Sequence, residues 1–288
     1  MDGRLSRAGF DEEQLKPSVL GAPIDAKVRA AQKKADMPAR YARLAIVMPV
    51  LNEAATLPAR LRALVPLRAR GAWLVVVDGG SEDTTPLLAA SFADQVLKGP
   101  RGRAAQMNAG ARACASDVLL FLHADTALPE NADQYLLAAL DAGSQWGRFD
   151  VRLDSPRASL KVVSWFMNWR SRLTGIATGD QAMFMRRSVF DAMGGFPDID
   201  LMEDIAMSAR LRRQSPPACL KARVTTSARR WEKHGVWRTV WLMWRLRAAY
   251  FLGADPAQLA MRYGYQPRAP LSAPVDDPLQ STSLKERA

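Results

Sequence analysis

The sequence is poor in cysteine: only Cys114 and Cys219 occur among its 288 residues. They lie far apart and lack metal-ligand spacing, which excludes a disulfide scaffold and a cysteine-based zinc site. No run of about 18 uncharged apolar residues is present, so we expect no membrane-spanning helix. Residues 1–40 also lack the pattern of a secretory signal, a basic start followed by an apolar stretch. We therefore predict a cytoplasmic protein that can rest peripherally on the inner membrane face.

Negative charge is also scarce, since 29 acidic residues face 40 Lys and Arg, for a net charge of +11. Such a balance favours nucleic acid, anionic lipid surfaces or phosphate-bearing small molecules as partners. The sequence contains no zinc-finger spacing, basic-zipper heptads or RNA-recognition aromatic motif, so we predict no nucleic-acid partner. Many arginines lie in amphipathic segments of helical period, where a solvated helix face explains them equally well.

The hydrophobic content of 48% is enough for a substantial core. Residues 1–43 are charged and alanine-rich, and we predict a poorly ordered extension there. Residues 265–288 are rich in proline and serine and predict a disordered tail. Between them, residues 44–264 predict one domain, with a nucleotide-binding half at 44–141 and an acceptor half at 142–264.

Short apolar strands alternate with helices in the first half. The predicted strands are 44–50, 73–77, 95–97 and 118–123, and the predicted helices are 55–70, 84–92 and 104–114. This alternation predicts βαβ units and a mostly parallel sheet covered on both faces. For the second half we predict strands at 146–153 and 181–185 and helices at 160–173, 202–213 and 236–252.

Polar residues follow three of these strands, and ligands of parallel α/β sheets bind at that edge. They are Asn52 and Glu53 after the first strand, Asp78 after the second, and His123 and Asp125 after the last. A turn with a helix cap also explains the segment that starts at Asp78. Dinucleotide binding fits poorly, because no Gly-x-Gly-x-x-Gly follows the first strand.

Asp125 is well placed to hold a hard divalent cation, Mg²⁺ or Mn²⁺, together with a diphosphate. Arg101 and Arg103 form a basic loop that opens a helix, and both features favour a diphosphate. A solvated surface loop is the alternative for these arginines.

The acceptor half offers further candidates. Asp180 lies in a turn before a strand, and Glu203 and Asp204 begin a helix. Acids stabilise a helix N-terminus, and an acid there can also act as a general base. His234 would share a helix face with Arg238 and Arg245, as a metal ligand or a structural residue. Helix 236–252 is rich in tryptophan and arginine, which suits a core helix or a helix that docks on a lipid-linked acceptor.

Taken together, these stretches resemble the family-2 glycosyltransferases with the GT-A fold, a Rossmann-like, mixed but mostly parallel sheet flanked by helices, with a helical C-terminal part. The matching motifs are 48–53, 77–83, 121–125 and 202–204, and the resemblance covers roughly residues 44–264. The stretches 102–108, 178–184 and 229–235 resemble a bacterial branch associated with radical-SAM or selenoprotein-related gene neighbourhoods.

The resemblance implies roles for individual residues. Those expected at the donor nucleotide are Pro49, Asn52, Glu53, Asp78, Gly80, Arg101, Arg103, Asn108 and Ala124, with Asp78 at the base edge. Those expected at the donor sugar or acceptor are His123, Asp180, Glu203, Arg230 and Trp231. Asp125 matches the last aspartate of the Asp-x-Asp metal motif, with His234 as a second candidate ligand, and Asp204 matches the usual catalytic base.

Two departures from the family pattern matter. His123 stands where the family often has the first aspartate of the metal motif. Ser227 stands where processive members have glutamine, which argues against polymer synthesis.

We therefore predict an enzyme of the hexosyltransferase class that moves a sugar from a nucleotide-diphosphate sugar to a hydroxyl acceptor, with inversion and with Mg²⁺ or Mn²⁺. The acceptor is unidentified, and a lipid-linked molecule is one candidate. Two alternatives stay open: a nucleotidyltransferase of sugar phosphates, and a non-catalytic nucleotide-sugar-binding protein.

Overall fold

The structure, a computed structural model, describes residues 42–265. The predicted extension and tail therefore lie outside the described residues, apart from residues 42, 43 and 265. Within this range no helix combines the length and the apolar character that crossing a membrane requires.

A single eight-stranded sheet organises the described chain. Its strands are β1 (Leu44–Val50), β2 (Trp73–Asp78), β3 (Gln95–Lys98), β4 (Val118–Phe121), β5 (Thr126–Ala127), β6 (Trp146–Asp154), β7 (Phe184–Arg186) and β8 (Ala218–Ser227). Their order in the sheet is β3-β2-β1-β4-β7-β6-β8-β5. The pairs among β1, β2, β3 and β4 are parallel, as is β6 with β8, whereas β7 and β5 pair antiparallel with their neighbours. The predicted mixed, mostly parallel sheet is confirmed.

Helices flank both faces of this sheet. They are α1 (Leu57–Ala63), α2 (Val65–Ala69), α3 (Thr85–Ala90), α4 (Arg103–Arg112), α5 (Ala132–Asp141), α6 (Ala158–Thr174), α7 (Arg187–Ala192), α8 (Glu203–Leu211), α9 (Arg229–His234), α10 (Val236–Phe251) and α11 (Pro256–Tyr263). The predicted single helix over 55–70 is wrong, since two short helices meet at Leu64. Pro66 explains the break, because proline lacks the N–H that would continue the first helix.

Successive residues of β1 alternate between the two cores. Ile46 and Met48 pack in the core shared with α1 and α5, whereas Ala45 and Val47 pack in the core shared with α4 and α8. Side chains of a strand point to opposite faces in turn, so a strand covered on both faces is apolar throughout. All seven residues of β1 are buried, as its uninterrupted apolar run predicts.

Helix α4 lies unusually close to β1 and β2. A Cβ at Gly110 would lie 2.5 Å from Val47 Cγ1 and 2.9 Å from Val77 Cγ2, so only glycine fits there. One turn earlier in the helix, the buried Gln106 side chain donates from Nε2 to the backbone oxygens of Val50 and Val77, at 2.9 and 2.7 Å. These contacts fix the N-terminus of α4 against the carboxyl ends of the two central strands.

The close packing of α4 predicts an unusual response to Gly110→Ala. In an ordinary helix this change stabilises by about 1 kcal/mol. Here we expect it to lower the free energy of unfolding by about 1–3 kcal/mol, because the added methyl group overpacks the site. The measurement is urea-induced unfolding, with Arg112→Ala on the exposed side of α4 as the control.

A double variant identifies the cause of that loss. Val47→Ala removes the methyl groups nearest to the new Cβ, so in that background Gly110→Ala should cost less than it does alone. A Gly110→Ala protein more stable than the wild type would contradict this account.

Candidate active site

A cleft of about 330 Å³ opens beyond the carboxyl ends of β1 and β4, beside the N-terminus of α4. The sequence-predicted residues that line it are Pro49, Glu53, Arg101, Arg103, His123, Ala124, Asp125, Asp180 and Arg230. Gln106, Tyr263 and Tyr265 line it as well, and the sequence pattern does not identify them as site residues. The cleft therefore joins both halves of the predicted domain.

His123, Asp125 and Asp180 form a cluster in which one potential ligand atom of each lies within 4.8 Å of the others. His123 and Asp125 follow β4, and Asp180 lies in the short 3-10 helix Gly179–Gln181. Gly179 permits this approach, because a Cβ at that position would collide with the imidazole of His123. An imidazole nitrogen with two carboxylates is a donor set suited to Mn²⁺, and the carboxylates alone suit Mg²⁺.

The charges in this cluster support one another. Burial opposes a charged imidazole, but the carboxylates of Asp180 and Asp125 outweigh burial and raise the pKa of His123. Burial likewise opposes a charged Asp180, and the interaction with His123 outweighs it and lowers the pKa of that carboxyl. The Nδ1 of His123 lies 3.7 Å from Oδ1 of Asp180, which is too long for a direct hydrogen bond. Metal binding at His123 requires the neutral imidazole, because a protonated ring has no free lone pair.

Arg103 begins α4 and places positive charge beside this cluster. Its Nε lies 3.1 Å from Oε1 of Glu203, and its guanidinium lies 5.2 Å from the ring centre of Tyr265. Burial opposes its charge, but Glu203 outweighs burial and raises the pKa of Arg103. A permanent cation at a helix N-terminus is a suitable site for a diphosphate.

Glu203 and Asp204 begin α8, as predicted, and differ in their surroundings. Glu203 is 2% exposed, and its Oε2 has no hydrogen-bond partner within residues 42–265. Asp204 is half-buried and accepts the backbone N–H of Gly179 at 2.6 Å and that of Ile205 at 2.7 Å. Asp204 therefore contacts the backbone of the turn that carries Asp180, next to the cluster of His123, Asp125 and Asp180.

The C-terminal part of the described chain closes one wall of the cleft. Arg230 donates to the backbone oxygen of Tyr263 at 3.0 Å and stacks 3.8 Å from the centre of that ring. Tyr265, the first residue of the predicted tail, packs against Tyr263 with ring centres 5.0 Å apart. The tail boundary predicted at 265 therefore cuts through a wall of the site.

Three of the residues predicted at the donor nucleotide organise loops next to the cleft. The carboxylate of Asp78 accepts the backbone N–H groups of Gly80 and Ser81, both at 3.0 Å. Asn52 accepts the N–H of Glu82 at 2.8 Å, which ties the loop after β1 to the loop after β2. Gly80 is exposed with φ 90°, a conformation that favours glycine in this turn.

Besides Glu203 and Asp204, which lie next to the cleft without lining it, three other predicted residues do not line it. Asn108 exchanges two hydrogen bonds, each of 2.8 Å, with the backbone of Phe196. Trp231 packs against the small core that contains Leu153 and Leu160. His234 is exposed at the end of α9, outside the cluster formed by His123, Asp125 and Asp180.

The predicted face shared by His234, Arg238 and Arg245 is not formed. Gly235 lies between α9 and α10 with φ 82°, so His234 and the two arginines belong to different helices. The helical period that the pattern assumes is interrupted there, because a left-handed residue ends the first helix.

Comparisons with known proteins agree with this geometry. The family model described as glycosyl transferase family 2 matches residues 45–194. An undecaprenyl-phosphate 4-deoxy-4-formamido-L-arabinose transferase of Pseudomonas savastanoi pv. phaseolicola is 29% identical over 172 residues, which cover 52% of this chain and 49% of the relative. An uncharacterized glycosyltransferase of Mycobacterium tuberculosis is 33% identical over 136 residues, which cover 44% of this chain and 61% of the relative. The chain thus spans about half the length of the Pseudomonas relative.

Two solved structures share the fold. Residues 1–349 of the S. aureus protein TarS in complex with UDP superpose with a TM-score of 0.54 at 15% identity, over 64% of this chain and 60% of that fragment. The mannosyltransferase PcManGT from Pyrobaculum calidifontis, in complex with GDP-Man and Mn²⁺, gives 0.52 at 19% identity, over 84% of this chain and 72% of that chain. The fold is GT-A. Because the family model covers more than half of the sequence, the chain belongs to glycosyl transferase family 2.

Proposed function

We propose that the protein transfers a sugar from a nucleotide-diphosphate sugar to a hydroxyl acceptor, with Mg²⁺ or Mn²⁺ as cofactor. The observation that carries the proposal is the cluster of His123, Asp125 and Asp180 in the same cleft as Arg101 and Arg103. Ligands for a hard cation lie here beside two arginines. Both features suit the diphosphate of a nucleotide sugar.

Different residues at the donor end of the site bind the diphosphate and the cation. Arg103 and the N-terminus of α4 bind the diphosphate, with Arg101 at the exposed side of the cleft. His123, Asp125 and Asp180 would hold the cation, which would supply positive charge to neutralise the departing diphosphate. Pro49, Asn52, Glu53, Asp78, Gly80, Asn108 and Ala124 stay our proposed residues around the donor nucleotide.

Asp204 is the proposed catalytic base. Its carboxylate is held by two backbone N–H groups and adjoins the loop that carries Asp180, where the donor sugar would lie. The carboxylate takes the proton of the acceptor hydroxyl while the acceptor oxygen bonds to the anomeric carbon. The bond from that carbon to the β-phosphate oxygen breaks, and the nucleoside diphosphate leaves with the electron pair. Attack opposite to the leaving group inverts the anomeric configuration.

The remaining proposed residues take no direct part in the transfer of the sugar. Arg230 and its partner Tyr263 form the cleft wall, while Glu203 holds Arg103 in place. Trp231 and His234 stay candidates for sugar contact and metal binding, although neither lines the cleft. The bacterial branch associated with radical-SAM or selenoprotein-related gene neighbourhoods is likewise a proposal.

Relatives supply the finer proposals about substrates. TarS with UDP and PcManGT with GDP-Man and Mn²⁺ share only the fold with this chain, and we propose UDP and GDP as the first nucleotides to test. The Pseudomonas relative is named for an undecaprenyl-phosphate substrate, which favours a lipid-linked acceptor here too. Peripheral attachment to the cytoplasmic membrane face would follow from such an acceptor.

Two other functions make different predictions. A nucleotidyltransferase needs a glycine-rich, basic loop after β1, whereas this chain has Asn52 and Glu53 there, followed by two alanines. A non-catalytic binding protein would bind nucleotide sugars without turnover on any acceptor.

The cation site is tested by the affinity of the protein for UDP and GDP, measured by calorimetry with and without Mn²⁺. We expect Mn²⁺ to tighten binding of the preferred nucleotide in the wild type. Asp125→Asn and Asp180→Asn should each reduce that gain about tenfold or more, because each removes a charged ligand. Asp191→Asn, an exposed aspartate of α7, is the matched control. Full retention of the Mn²⁺ effect in both variants would rule out this cluster as the cation site.

The base is tested by turnover of a panel of nucleotide sugars. Asp204→Asn should bind nucleotide and Mn²⁺ like the wild type but react about 10²- to 10⁴-fold more slowly, the usual contribution of a general base. Asp191→Asn again serves as control, and thermal unfolding checks that the variant is folded. Undiminished turnover in both Asp204→Asn and Asp125→Ala would refute the assignment.

A further inference from the structure

A second cleft, of about 340 Å³, lies between α6 and α10, and we call it the α6–α10 cleft. Its apolar walls include Phe166, Trp244 and Phe251, with Ile205 from the helix that carries Asp204. Arg170 and Arg247 also line it. An apolar groove that contains two cations is unusual, because burying a charge without a partner is costly.

These two arginines lack close counter-charges. Within residues 42–265 neither lies at ion-pair distance from a carboxylate, and Nη2 of Arg170 is buried without a hydrogen-bond partner. Burial, together with the neighbouring charge of Arg247, lowers the pKa of Arg170 to about 10, against the opposing effect of Asp204. Burial also lowers the pKa of Arg247, although Asp204 and Asp180 both act to raise it. An anion between the two guanidinium groups would relieve this uncompensated positive charge.

The cleft adjoins the proposed catalytic base. Asp204 interacts electrostatically with both arginines, and Asp180 of the cation cluster interacts with Arg247. Ile205, the residue after Asp204, lines the cleft, so a molecule held by Arg170 and Arg247 lies close to the start of α8. An acceptor bound in this cleft would leave the first cleft to the donor.

The rim of the cleft is an exposed aromatic surface. Trp165 and Trp169 of α6 stack with ring centres 6.2 Å apart, and Phe166 meets Trp244 of α10 at 6.3 Å. Trp241 is 62% exposed on the same helix. Neither α6 nor α10 contains an acidic residue, and their cations are Lys161, Arg170, Arg172, Arg238, Arg245 and Arg247. Tryptophan with arginine on an exposed helix face is typical of surfaces that contact anionic lipid.

We propose that the α6–α10 cleft binds the acceptor and that this acceptor is a phosphate-bearing lipid, with its phosphate on Arg170 and Arg247 and its apolar chain along Phe166, Trp244 and Phe251. The inference rests on the proposed function and specifies the acceptor class of the same site. A free phosphate would leave the apolar walls unexplained, and a second protein copy would leave the two arginines without counter-charge.

Calorimetry with farnesyl phosphate, a soluble lipid monophosphate, tests the cleft directly. The wild type should bind it at least about tenfold more tightly than farnesol or inorganic phosphate, because both ends of the molecule are recognised. Arg170→Gln and Arg247→Gln should each weaken binding about tenfold or more, as expected for a lost charge-assisted hydrogen bond. Arg245→Gln, which removes an exposed charge from the same helix, should bind like the wild type.

Two further variants keep the result interpretable if a glutamine variant is unstable. Arg247→Lys keeps the charge and loses the forked guanidinium, so its affinity should lie between those of the wild type and Arg247→Gln. Trp244→Ala should weaken binding of farnesyl phosphate without changing the weak binding of inorganic phosphate. Flotation should show preference for phosphatidylcholine vesicles with farnesyl phosphate over vesicles with equal charge from phosphatidylglycerol.

Several results would overturn the inference. They are equal losses in Arg245→Gln and Arg247→Gln, farnesol binding as tight as that of farnesyl phosphate, and a dimer that buries Trp244 in place of lipid binding. The Mn²⁺-dependent nucleotide titration separates this inference from the proposed function. Nucleotide binding without lipid-phosphate binding would refute only the inference about the acceptor. Lipid-phosphate binding without nucleotide binding would refute the assignment of the donor.

Discussion

The hydrogen bond from the Gly179 N–H to the Asp204 carboxylate joins the two halves of the site. Gly179 belongs to the turn that presents Asp180 to His123, and Asp204 begins α8 on the acceptor side. Glycine is required at 179 because the imidazole of His123 occupies the space of a side chain. One turn of 3-10 helix therefore links Asp180 of the proposed cation site to the proposed base.

The order of the strands explains how distant segments reach that turn. β7 runs antiparallel to β4, so the chain that enters β7 lies at the same sheet edge as the chain that leaves β4. His123 and Asp125 come from one segment and Asp180 from the other, which places the three donor groups together. Helix α4 supplies the opposing charge from the same edge, fixed there by Gln106 and Gly110.

The sequence predicts the nucleotide-binding half well, because its strands are apolar throughout and its polar residues follow strand ends. The sequence pattern does not predict β8, because the exposed residues Lys221 and Arg223 interrupt its apolar residues. Asp180 shows the limit for the site: its sequence neighbours suggest a sugar-orienting loop, and only the reversed strand β7 brings it to His123. Tyr263, Tyr265, Arg170 and Arg247 carry no local signal, because their positions depend on how the C-terminal helices pack.

Arg103 connects the donor side of the site with the acceptor side. It pairs with the buried Glu203 and faces Tyr265, and in the proposed function it also binds the donor diphosphate. A diphosphate that draws the guanidinium away leaves Glu203 with less compensation, next to Asp204 at the start of α8. Donor occupancy and the electrostatics of the acceptor side are then thermodynamically linked, and such linkage is reciprocal: an acceptor that alters α8 changes donor affinity by the same factor. A single guanidinium would thereby make the binding of two substrates interdependent without any domain movement.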